Sequence, residues 1–199
     1  MDPVPFPIYP LGPISYYSAL CNTDTVSFDV LESFPKRTYR NRYTIINVHG
    51  YQTLTIPIEK CDSRTKTTIV KIDYSQDWAH YHIKSIKAAY GMAPFFIHYI
   101  DDYSKLVNTK FESLVEFNVA CVHWILKALQ LSKEISIDEN FPDPTLNSDW
   151  RFNKSYNRKA GQFKTNYYMQ VFEDRLGYLN NPSILDLIFN EGPNAAALL

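Results

Sequence analysis

The chain has few cysteines, no excess of either charge and no long apolar run, and each shortage excludes a class of protein. Its three cysteines, Cys21, Cys61 and Cys121, are an odd number without CxxC spacing, which argues against a disulfide scaffold. With 20 basic residues against 21 acidic ones, the net charge is −1. Broad binding along a nucleic-acid backbone needs a surplus of Lys and Arg and is therefore excluded. The longest uncharged run in the strongest helical segment, 117–126, is ten residues, well short of the roughly 20 needed to cross a bilayer. Residues 1–13 have no basic leader and are interrupted by five prolines, so no secretory signal is read there and a soluble, cytoplasmic protein is expected. The phosphate-cradling glycine loop, the GxGxxG turn, the GxSxG elbow and the HExxH helix are all missing, and no metal-binding pattern is assigned.

What the chain has is rings. Aromatic residues make up 15% of it, including 15 tyrosines and 12 phenylalanines, within a 45% hydrophobic composition that supports a packed core. Its 199 residues fit one or two compact domains, and a single domain is expected. Prolines make the opening segment extended or turning. A short helix is expected at 14–20, a strand at 26–30, a hairpin across 42–58 with His49-Gly50 at its turn, and a further strand at 67–72. Pro57 places the second hairpin strand at an edge or ends its pairing. The apolar period then lengthens to about 3.6. Helices follow at 76–90, with Asp73 and Gln76 as a cap pair, at 95–107, and at 110–131, the last apolar on two adjoining faces. The polar stretch 138–166 reads as a long lid-like or flexible loop. Order returns at 167–172 and in a last helix from Asn181, its expected cap, to Phe189, ended by Gly192-Pro193.

The densest polar segment is Lys36, Arg37, Arg40 and Arg42, with Tyr39 and Asn41 between them. On a strand, Arg40 and Arg42 share a face, and paired guanidiniums suit a phosphate or carboxylate. A solvated, charged edge strand is the competing reading. His80 and His82 lie about 200° apart on a helix and cannot form a metal pair there. His82 falls four residues after Trp78 on the same side, where burial would shift its pKa and suit acid/base work; a structural histidine competes. His123 reads as a core polar group, and Cys121 as a core thiol. Asn118, on the core face of the long helix, must find partners for its amide. Asp186 and Asn190 share one side of the last helix, which makes Asp186 a candidate acid against the alternative of solvated surface.

In order along the chain, TYRNR (38–42), HGYQTLTIP (49–57), IDYSQDW (72–78), AYGMAPFF (89–96), YMQVF (168–172) and SILDLIFNEGP (183–193) resemble the WbqC-like protein family, in the form of its Bacteroidetes-type members. The resemblance covers nearly the whole chain. It implies a role in polysaccharide and O-antigen biosynthesis, in making or decorating nucleotide-linked sugars. It assigns the family's polar signature to Arg40, Asn41, Arg42, Gln52, Tyr74, Trp78, His82, Tyr90, Gln170, Asp186 and Asn190, with a basic segment containing Asp149, Arg151 and Lys159. Two positions depart from the pattern: His49 replaces an asparagine before the glycine, and Pro182 replaces a leucine.

The resulting expectation is an α/β or α+β domain with a mostly antiparallel sheet from the N-terminal part packed against C-terminal helices. Its function would be acyl or aminoacyl transfer to a nucleotide-linked amino sugar. His82 would be the general base, Asp186 a second catalytic group, and Arg40, Arg42, Arg151 and Lys159 would hold the diphosphate. Asn41, Gln52, Tyr74, Trp78, Tyr90, Gln170 and Asn190 would complete the substrate site. The partner would be a small anionic or nucleotide-sugar ligand. The alternatives are a non-catalytic sugar-nucleotide binding protein and a structural subunit of a glycan-biosynthesis assembly whose apolar long helix joins copies of the chain.

Overall fold

The computed structural model describes residues 4–62, 64–138 and 165–199. Strand β1 (Val4–Pro7) lies parallel to β2 (Val26–Asp29), joined by helix α1 (Ile14–Cys21) as the crossover that parallel neighbours require. Strand β5 (Ile135–Asp138) adds parallel to the other side of β2, giving the order β1-β2-β5. Pro5 and Pro7 cannot donate to a ladder, and they sit on an outer strand where one side needs no partner.

The expectation of a mostly antiparallel sheet is thus wrong. Among the described strands, only the hairpin of β3 (Arg42–Asn47) and β4 (Gly50–Thr55) is antiparallel. Alternation of apolar residues marks a strand without giving its direction. The β2–β5 pairing joins residues such as Ser27 and Ser136, 109 positions apart, where no local signal reaches.

The hairpin turn is Val48-His49, one position earlier than expected, with Asn47 opposite Gly50. Neither turn residue has positive φ, whereas Gly50, the first residue of β4, takes φ 100°, a region that glycine enters without steric cost. The segment 67–72 forms no strand. It contains a 3-10 turn, Thr67–Ile69, and two isolated bridges, Ile58 to Ile72 and Lys71 to Ser113. Its amides are used elsewhere: Thr67 N–H donates to the Glu32 carbonyl and Thr68 N–H to that of Val30, which satisfies the backbone without a ladder.

Helix α2 (Trp78–Tyr90) starts on Asp77, whose side chain accepts from His80 N–H, and Asp73 instead turns back to Ser75 N–H. Helix α3 is Phe96–Asn108. Helix α4 (Leu114–Ala128), shorter than the expected span, is capped by Ser113 and buries Phe117, Cys121, Val122 and Ile125. Burial raises the Cys121 thiol pKa, the behaviour of an inert core group. His123 is exposed, not in the core. Residues 167–172 form neither helix nor strand; Tyr168 and Gln170 are buried while Tyr167 and Met169 face outward.

A short helix, α5 (Glu173–Leu176), follows. Helix α6 (Ile184–Glu191) is capped by Ser183, while Asn181, expected as its cap, has φ 58° and accepts from Ser15 N–H on α1. Residues 139–164, which hold most of the expected loop together with Asp149, Arg151 and Lys159, lie outside the described residues. Among the described residues no helix is long and apolar enough to cross a membrane.

Candidate functional site

Strand β3 and the turn leading into it carry the polar segment. Arg40 precedes the strand and is buried, so it does not share an exposed strand face with Arg42. Its guanidinium meets Glu32 at two points, Nε to Oε1 at 2.5 Å and Nη2 to Oε2 at 2.6 Å. Burial opposes its charge, but the Glu32 carboxylate more than offsets this and leaves the pKa above its usual value. Arg42 is half-buried. Its Nε is buried without a hydrogen-bond partner, and burial, followed by the charge of Arg37, lowers its pKa.

Asn41 donates from Nδ2 to the Ile56 carbonyl at 3.0 Å, and Asn118 on α4 donates from Nδ2 to the carbonyls of Ile8 and Arg40 at 3.2 and 2.8 Å. Both amides are oriented by these carbonyl acceptors. The oxygen of each is left buried without a donor, as is the Trp78 Nε1 hydrogen without an acceptor. The residues are linked. Asn118 bonds the carbonyl that precedes Asn41, and its neighbour Phe117 packs edge-on against Trp78 at 5.7 Å. Trp78 in turn packs against His82 at 5.1 Å, which bonds the carbonyl of Thr55, opposite Arg42.

His82 is 1% exposed. Thr55 offers only a carbonyl, so Nε2 donates to it at 3.2 Å, and Nδ1 of the neutral ring accepts from the Tyr43 hydroxyl at 2.9 Å. With its proton used there, Tyr43 accepts from Tyr103 at 2.7 Å. Burial lowers the His82 pKa to about 4, against a smaller opposing effect of the Thr55 bond. The ring is therefore neutral at pH 7, in the form a base requires, and both nitrogens are engaged.

A second network surrounds Asp186, which is 1% exposed and so is not solvated surface. Tyr168 donates to Oδ1 at 2.7 Å and Tyr90 to Oδ2 at 2.9 Å. Asn190 Nδ2 reaches Oδ1 at 3.3 Å and the Asp186 carbonyl at 2.8 Å. Gln170 Nε2 donates to Tyr168 at 3.2 Å and to the Leu179 carbonyl at 2.9 Å. Burial raises the Asp186 pKa to about 6 despite these donors. Both tyrosines are pushed well above their usual values, by burial first and then by the Asp186 charge. The two networks meet along β3, where Ile46 N–H donates to the Tyr90 hydroxyl at 3.1 Å.

A model of the WbqC-like protein family matches residues 9–164. The chain belongs to that family. No curated protein and no solved structure matches it. The WbqC-like match takes in Arg40, Asn41, Arg42, Gln52, Tyr74, Trp78, His82 and Tyr90, and it ends before Gln170, Asp186 and Asn190.

The structure brings Asn41, Arg42, Trp78 and His82 of this WbqC-like chain into one neighbourhood, and Tyr90, Gln170, Asp186 and Asn190 into another. Two expected site residues have structural partners of their own. Gln52 bonds Asn47 at 2.8 Å and Tyr81 at 3.2 Å, and Tyr74 ties its hydroxyl to the Phe111 backbone. Tyr43 and Tyr103 escaped the sequence reading of the site. Their signal was there: a tyrosine on the inward face of a strand or helix needs a partner for its hydroxyl. Among the described residues no cluster of His, Cys, Asp and Glu could hold a metal ion.

Proposed function

We propose that this WbqC-like protein binds a nucleotide-linked sugar in polysaccharide assembly, at the neighbourhood of Asn41, Arg42, Trp78 and Asn118. One observation carries the reading: among the described residues, four buried polar atoms in linked residues, two donors and two acceptors, have no partner. A buried unpaired group costs about 1–3 kcal/mol, and a ligand bearing an anionic group and hydroxyls would supply both kinds of partner. Arg42 would meet the charge, since Arg40 is already neutralised by Glu32. The test is thermal melting of the full chain against a panel of nucleotide sugars. A rise in melting temperature with some members and not with neutral sugars is expected, and unchanged melting across the panel would refute the reading.

Acyl or aminoacyl transfer to an amino sugar is the second reading, in which His82, buried against Trp78 and neutral at pH 7, is the candidate base, although a pKa of about 4 makes it a weak one. The amine nitrogen would form the new bond to the acyl carbon of an activated acyl donor as the donor's leaving group departs, and His82 would take the amine proton, with the Tyr43 hydroxyl moving off Nδ1 to make room. Arg151 and Lys159 belong to the same reading as further phosphate contacts. Replacing His82 with Gln should abolish product and retain binding; full turnover in that variant would remove His82 as the base.

A further inference from the structure

The arginines of the 36–42 segment are not equivalent. Arg40 has a counter-ion in Glu32, with 4% of its side chain exposed. Among the described residues Arg42 has none, although its Nε is buried. Arg37 has none either: among the described residues the side-chain ion pairs are Arg40–Glu32 and Lys105–Asp102. Lys36 has the Asp62 carboxylate within its electrostatic reach.

Arg37 also has φ 62°, a left-handed conformation that residues other than glycine seldom adopt and that tends to persist at functional sites. The turn over residues 36–40 leads from Arg37 into β3, which opens on Arg42, and the Arg37 charge acts on that guanidinium. A neighbouring like charge disfavours the charged form of each group. Here, among the described residues, a left-handed turn residue and a partly desolvated guanidinium five positions on have no counter-ion, an arrangement that an incoming anion would stabilise.

We infer that Arg37 and Arg42 form a clamp for a phosphate-type polyanion, while Arg40 stays committed to Glu32. The inference rests on the nucleotide-sugar reading and names the atoms that would meet its diphosphate. Two guanidiniums carry ten N–H donors between them by their chemistry, about five each, more than the two oxygens of one carboxylate can use. A diphosphate offers enough oxygens and charge to engage both forks.

The test is calorimetric titration of the full chain at low salt with inorganic pyrophosphate, UDP and uridine, together with the nucleotide sugars of the melting panel. Wild-type protein should bind pyrophosphate and UDP, and bind uridine at least about tenfold more weakly. Arg37→Gln and Arg42→Gln should each weaken UDP binding by about tenfold or more, Arg37→Lys should recover part of the loss, and Lys36→Gln should change little. Arg37 is exposed, so its variants should fold, with melting temperatures as the check. Arg37→Gly supplies a second readout: it relieves the backbone, should raise the melting temperature, and should still lose UDP affinity. If a nucleotide sugar binds and Arg37→Gln leaves its affinity unchanged, the clamp is overturned while the nucleotide-sugar reading stands. If wild-type protein binds none of these compounds, both are overturned.

Discussion

The Arg40 guanidinium and the Glu32 carboxylate form a two-point pair with only 4% and 11% of their side chains exposed, beneath a Tyr9 ring whose centroid is 5.7 Å from Arg40 Cζ. Removing one partner of a buried pair leaves the other charge desolvated, at a cost of about 3–5 kcal/mol, whereas replacing both with apolar groups costs far less. Glu32→Leu should therefore destabilise the protein by that amount, and the double variant Glu32→Leu/Arg40→Met by less than the single one. Urea unfolding of the full double-mutant cycle measures this. A double variant as unstable as the sum of the two singles would show that the pair is not coupled.

The buried groups His82 and Asp186 act on stability with opposite sign. His82 drops from 6.5 to about 4 on folding, so between those values the unfolded chain binds the extra proton. Its contribution is complete above pH 6.5 and is lost as pH falls towards 4. Asp186 rises from 3.8 to about 6, so the folded chain holds the extra proton there, and stability declines as pH rises through that window. Each slope is up to about 1.4 kcal/mol per pH unit, and in wild-type protein the two nearly cancel between pH 4 and 6. Asp186→Asn should leave stability rising with pH across this window, and His82→Gln should leave it falling. Denaturant midpoints at half-unit pH steps read the slopes; two variants with the same sign of slope would contradict the assignment.

Gly192 ends α6 at φ 54°, and a Cβ there would stand 2.4 Å from Cδ1 of Phe95. Phe95 is tied in place through its N–H, which donates to the Phe189 carbonyl at 3.0 Å. Gly192→Ala thus combines an unfavourable backbone region with a steric clash and should cost about 2 kcal/mol or more. A melting temperature within a degree of wild type would mean that the α6 terminus and the Phe95 ring shift freely.

Much of this was legible in local pattern. The hairpin at Arg42–Asn47 and Gly50–Thr55 and the helices α2 to α4 follow from periods of two and 3.6, and the placing of His82 on the Trp78 side of a helix is seen in their ring contact. The parallel sheet was not legible, because β5 finds β2 across the intervening helices and neither strand encodes direction. The division of labour among the arginines was equally hidden. Glu32, eight residues before Arg40, lies in a loop with no periodic signal, so residue type alone gave Arg40 and Arg42 the same role. The Tyr43–His82 bond escaped for a related reason: it spans 39 positions, and only the packing of α2 on β3 creates it.

Trp78 separates a binding role from a packing role. Its indole is 5% exposed, and its Nε1 hydrogen has no acceptor. Trp78→Phe deletes ring volume, which destabilises, and also deletes an unsatisfied donor, which relieves a penalty of about 1–3 kcal/mol. The two effects oppose each other, so the unliganded variant should lie within about 1 kcal/mol of wild type. Phe117→Leu is the control: fully buried and in contact with Trp78, it loses packing without relieving any unpaired group and should cost more. With ligand the order reverses. If Nε1 bonds a nucleotide sugar, Trp78→Phe should lose most of the ligand-induced rise in melting temperature, and Phe117→Leu should keep most of it from its lower starting point. Equal ligand-induced shifts in the two variants would make the indole a core ring only and remove Trp78 from the site.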